Sequence, residues 1–245
     1  ALPMGGVVEQ LPGGFVDWTT GVLVVQASAV SNTGAWKDVK AIEQSAFQQL
    51  EPRLQTLSAG VRFTADLQAG DLLDDGGPLA RSLADGQAAW RVTETHYFAS
   101  GRVELRAELP LHPWLRPALV NLADAPLIGE REVAKITGVV VDARGLRVEP
   151  ALAPRLLTQA GEVLFGPEDL APETAAERAP AIWALDPSQA VVIKRGGASP
   201  LFVRAVSVRG GADFVLDAED VAHLRTLRIN TDLLASAPIV IVVDP

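Results

Sequence analysis

The chain has 245 residues, 48% of them apolar, a formal net charge of −9 and no cysteine. That length and apolar share exclude a disordered tail and allow one large domain or two small ones. The acidic balance argues against nucleic acid and against attachment to anionic lipid by charge alone, and without cysteine there is no disulfide, thiolate or Cys-type zinc chemistry.

Residues 1–14 are rich in proline and glycine and read as an extended N-terminal arm, either a tail or a segment that docks on a neighbouring subunit. The chain begins Ala1-Leu2-Pro3, which is read as a mature product after signal-peptide removal. Phe15 to Val30 reads as one strand, with Gly21 as a bulge or bend. Ala35 to Ser58 has helical period, with Trp36, Val39, Ile42, Phe47, Leu50, Leu54 and Leu57 on one stripe. Pro52 is expected to kink that helix or end it near Leu50.

Val61-Arg62-Phe63 suggests a short strand, and Leu72 to Leu83 a helix broken at Gly76-Gly77-Pro78. Trp90 to Tyr97 and Arg102 to Leu109 alternate as strands around Ser100-Gly101, a hairpin. Pro110 to Asn121 suggests a short helix after it. The first half therefore reads as a sheet with helices on one face.

In the second half, Ile136 to Val141 is an apolar β-branched run of strand length, ended by Asp142 and Gly145. Pro150 and Pro154 make the following segment a fixed connector. Arg155-Leu156-Leu157 and Glu162 to Phe165 form a hairpin candidate around Gln159-Ala160-Gly161. Pro167 to Pro180 reads as an acidic surface loop with one short helix. Ile182 to Leu185, Ala190 to Lys194, Leu201 to Val208 and Phe214-Val215-Leu216 read as strands. Asp217 is an N-cap for a helix from Ala218 to Leu227, with Asp220 as a weak capping-box partner. Ile239 to Val243 has the composition of a strand buried on both faces.

Catalytic patterns are sparse. His96, His112 and His223 lie far apart, with no metal-type partner at helical spacing. Asp71, Asp74 and Asp75 lack the ligand spacing of a calcium loop and read as a solvated turn with a helix cap. Asp142 and Arg144 suggest a structural ion pair, with Glu149 as a further partner. The glycine pairs form no phosphate-binding pattern, and a nucleophile elbow is absent. On these grounds the chain is expected to be no enzyme, with no catalytic, cofactor-binding or metal residue assigned. No apolar run reaches the ~18 residues of a membrane-spanning helix.

The run from Thr137 to Gly166 (TGVVVDARGLRVEPALAPRLLTQAGEVLFG) resembles a segment of bacterial envelope proteins of the LPP20 type, related to the flagellar basal-disk and H-ring protein P. Pro200 to Val206, the Gly-Gly turn, Asp217 to Val221 and Ala237 to Asp244 extend the resemblance over the second half. The lipoprotein members carry a lipid on an N-terminal cysteine, which this chain lacks. The resemblance implies an exported structural protein of the periplasm, outer membrane or cell surface, of a flagellar motor or another extracytoplasmic structure. It would assemble with itself into a ring, disk or filament and touch other envelope or flagellar proteins. The expected fold is α+β, with mixed and antiparallel sheets and helices on one face, in two closely packed parts: 15–125, a β-α-β-β unit, and 126–245, a β-rich unit. The alternative is a monomeric periplasmic binding module, whose pocket would need some of Trp18, Trp36, Trp90, Trp114 and Trp183 to converge.

Overall fold

The computed structural model describes residues 5–31, 38–126 and 135–245. Among them the fold is α+β, with two sheets and seven α-helices.

The first sheet is antiparallel, in the order β1 (Val8–Leu11), β2 (Gly14–Asp17), β3 (Val22–Val30), β5 (Arg102–Pro110), β4 (Arg91–Tyr97). Much of the expected arm is therefore this chain's own edge strand, with Val8 opposite Asp17 and Leu11 opposite Gly14. Residues 1–4 lie outside the described residues. The single strand expected from Phe15 to Val30 is two strands. The Asp17 carboxylate accepts the amides of Thr19 and Thr20, and Gly21 takes φ +69°, so the chain reverses there. An Asp two residues before a Thr-Thr-Gly run is a turn signal in its own right.

Helix α1 (Val39–Ala59) lies across β3 and β5. It buries Ile42, Ala46, Leu50 and Leu54, a spacing of four that lays one stripe on the sheet. Trp36 lies outside the described residues. Pro52 sits inside the helix without ending it. Both Pro52 and Gln48, whose carbonyl loses its partner to the proline ring, face solvent, so water can serve that carbonyl. Phe47 is also on the outer side, exposed rather than core. Two short helices, α2 (Ala69–Asp74) and α3 (Pro78–Gln87), follow, and α4 (Leu111–Leu122) packs on α3. Val61-Arg62-Phe63 contributes only an isolated bridge, Arg62 to Gln68.

The second sheet is mixed, in the order β8 (Val163–Phe165), β7 (Arg155–Leu157), β11 (Asp213–Leu216), β10 (Pro200–Arg209), β6 (Gly138–Asp142), β12 (Ile239–Val242), β9 (Ala181–Ala184). β6, β12, β9 and β10 run parallel. Of the remaining helices, α5 (Pro172–Glu177) precedes β9, α6 (Ala190–Gly196) links β9 to β10, and α7 (Ala218–Asn230) follows β11.

Ala190 to Lys194 is thus helix rather than strand. β9 and β10 are parallel, so the chain between them must cross over the sheet, and a helix does this while keeping its backbone bonds. Its Val192 packs with Val140, Ala184, Val240 and Val242, so this sheet carries apolar packing on both faces, not on one. The expected surface loop from Pro167 to Pro180 buries Leu170, Ala171 and Ala175. Asp217 caps α7, accepting from the amides of Glu219 and Asp220. Asp220 does not complete a capping box; its carboxylate accepts the amide of Arg204 instead.

One apolar core runs through both halves, from Leu23, Leu54 and Trp114 to Val139, Phe214 and Ile241. The proline connector sits at the join. Leu152 and Ala153 donate their amides to the carbonyls of Arg62 and Phe63. Beside it Arg155 holds the buried Asp213 carboxylate through two hydrogen bonds and reaches Asp66 at 2.9 Å. Those two carboxylates hold the guanidinium firmly in its charged form.

Candidate functional site

The residues with chemical potential are dispersed. His223 is exposed on α7. His96 is exposed on β4, 3.1 Å from the Glu94 carboxylate. His112 is half-buried at the start of α4, its Nε2 donating to the carbonyl of Ala175 at 2.9 Å. Burial pushes its imidazole below the ordinary range, helped by the charges of Arg116 and Arg195. Asp71 accepts the amide of Gln68 at the head of α2, while Asp74 and Asp75 are exposed. Among the described residues no three His, Cys, Asp or Glu side chains gather as a metal site.

Asp142 and Arg144 do form an ion pair, at 2.8 and 2.7 Å. The Arg144 hydrogen bond holds the Asp142 carboxyl below its usual range. Glu149 is not their partner; it pairs with Arg62 across the join. Of the tryptophans, Trp114 donates to the Leu83 carbonyl, and Trp90 stacks with Phe47 at 5.5 Å. Trp18 and Trp183 converge on one cleft between the two sheets.

The features that stand out are sheet borders. The hairpin β7–β8 is not an open one: Leu164 and Phe165 are buried, α7 lies alongside, and Arg228 donates to the Val163 carbonyl. In the first sheet, β1 is a four-residue border. β4 is seven residues long and has β5 as its one strand partner among the described residues. Helix α1 packs mainly on β3 and β5 and reaches β4 through Glu43, whose carboxylate accepts the Tyr97 hydroxyl at 3.3 Å. Six of the seven β4 residues are exposed, and between α1 and β4 lies an open groove of about 450 Å³ that includes Phe47, Val92 and Thr95.

The peptide groups of β4 alternate in direction. Phe98 donates its amide inward to the Arg102 carbonyl, so the same alternation turns His96 and Glu94 inward and Thr95 outward. A border of this kind is a template for another strand. A bulge between Val92 and Glu94 and the charges of Arg91, Glu94 and His96 guard it against indiscriminate pairing.

Comparison with known families places residues 138–245 in a match to the second domain of Treponema pallidum Tp0624. That stretch holds the whole seven-stranded sheet, and the first sheet lies outside it. None of the curated proteins matches the chain.

Proposed function

We propose that this chain is an exported bacterial structural protein, without catalytic role, that assembles with copies of itself in the cell envelope by strand addition. The observation that carries the reading is β4, a long border strand whose Thr95 peptide groups face away from its own sheet. Support for the envelope comes from the LPP20-type resemblance; the match to a domain of a bacterial protein is compatible with it.

Charge selects a register for two antiparallel copies of β4. Centred on Thr95, Glu94 of each copy lies opposite His96 of the other, and Thr95 faces itself in a hydrogen-bonded pair. Centred one residue earlier, two Glu94 carboxylates would meet head-on, which is destabilising. The β1 border, which has β2 as its one strand partner among the described residues, gives a second contact, and two such contacts per subunit extend the assembly into a ring or filament.

Light scattering over a concentration series tests this. The native chain should form particles well above the 25.9 kDa monomer. Thr95→Pro removes the outward amide at the centre of the register and should give smaller particles with unchanged circular dichroism. A native chain that stays at monomer mass at high concentration refutes the reading.

A further inference from the structure

The cleft between the two sheets encloses about 270 Å³. Its walls include Trp18, Ile182 and Trp183, and its polar members include His112, Arg178 and Arg195. Three basic side chains of a strongly acidic chain thus gather in one concavity, with Glu177 as its one carboxylate.

Arg195, at the end of α6, is the anomaly. It donates one bond, from Nη2 to the Ala179 carbonyl at 2.8 Å, and forms no ion pair among the described residues. Its Nε is wholly buried with no acceptor. A half-buried guanidinium without a carboxylate carries a desolvation cost, and the charge that acts on it here is another cation, Arg178. Burial, with that repulsion, pushes its guanidinium down to about 10. Arg178 has only a loose, exposed contact with Glu177 at 3.9 Å. Asp17, which lies in the strand leading to this turn, is already taken by the Thr19 and Thr20 amides.

We propose that this cleft binds a small organic carboxylate, its charged end on the Arg195 guanidinium and its apolar body against Trp18, Ile182 and Trp183. A guanidinium presents a planar fork that matches a carboxylate, and apolar walls with a few convergent polar groups are the usual make-up of a ligand site. The volume stands at or below the low end of small-molecule pockets, which limits the ligand to a compact one. This site does not depend on self-assembly and stands whether or not the chain assembles.

Benzoate is the probe, with benzamide as its uncharged counterpart and inorganic phosphate as an anion without an apolar body. Calorimetry and the ring resonances of His112 are the readouts. Benzoate should bind and shift His112, while benzamide and phosphate should do so at least tenfold more weakly. Arg195→Gln should abolish the benzoate response and keep or raise the melting temperature, because it removes an uncompensated, half-buried charge. Arg195→Lys, which keeps the charge without the fork, should fold and bind benzoate at least fivefold more weakly. The proposal is overturned if benzoate gives no response, if benzamide or phosphate matches it, or if Arg195→Gln still binds. Should Arg195→Gln instead unfold the protein, undiminished benzoate binding by Arg195→Lys overturns it.

Discussion

Gly138, the first residue of β6, and Gly196, the last of α6, touch backbone to backbone: a Cβ on Gly138 would stand 2.6 Å from both the Cα and the carbonyl oxygen of Gly196. The neighbouring Thr137 hydroxyl donates to that same Gly196 carbonyl at 2.7 Å and accepts the Ser199 amide at 2.9 Å. The Thr137-Gly138 pair is therefore a seat for the end of α6. Gly138→Ala should cost more than about 2 kcal/mol, since neither backbone can yield without lifting α6 from the sheet. Urea denaturation with an unchanged slope measures it.

Asp217 accepts two amides at the head of α7. Asp217→Ala should lose about 1 kcal/mol, and Asp217→Asn much less, because Asn still accepts from the same amides. The same denaturation experiment ranks the two.

His112 gives a pH dependence with a definite sign. Its folded-state pKa lies below the ordinary 6.5, so the unfolded chain binds more protons in the window beneath that value. Its contribution to stability is full above about 6.5 and is lost as pH falls from there through the depressed folded pKa. Thermal midpoints from pH 7.5 to 5 should fall more steeply for the native chain than for His112→Gln.

A chain that begins at Phe15 should be less stable than the full one and not merely smaller. The Val7 carbonyl accepts the Trp18 amide, Val7 is buried, and the Trp18 ring donates to Glu9. Removing those partners uncovers Trp18, so its fluorescence should shift to longer wavelength and the melting temperature should drop by several degrees.

Arg155→Met should cost about 3 kcal/mol or more, because it strands the buried Asp213 carboxylate without its cation. Pairing it with Asp213→Asn should recover part of the loss. A double-mutant cycle in denaturant gives the coupling.

Strand composition and helical period were plain where the apolar pattern was long. β6, β12, β10, the β4–β5 hairpin and the body of α1 follow directly from it. Val191, Val192 and Ile193 mislead because β-branched residues favour strands locally. What makes them a helix is the parallel direction of β9 and β10, a relation between distant segments. The fold of residues 8–14 back onto β2 was hidden for the opposite reason, since glycine and proline turns mask short strands. Arg195 gave no local sign at all. Its isolation arises only when α6, the loop before β9 and the turn after β2 come together.

β6 lies between β10 and β12, and Val140 meets Val240, a partner a hundred positions further along. A pairing so remote in the chain is slow to close. Until it does, Val139-Val140-Val141 is a bare β-branched run that can aggregate in the nascent polypeptide. Refolding yield should therefore depend on concentration through this triplet, and a holding chaperone that shields it would improve recovery more than any change at the finished surface.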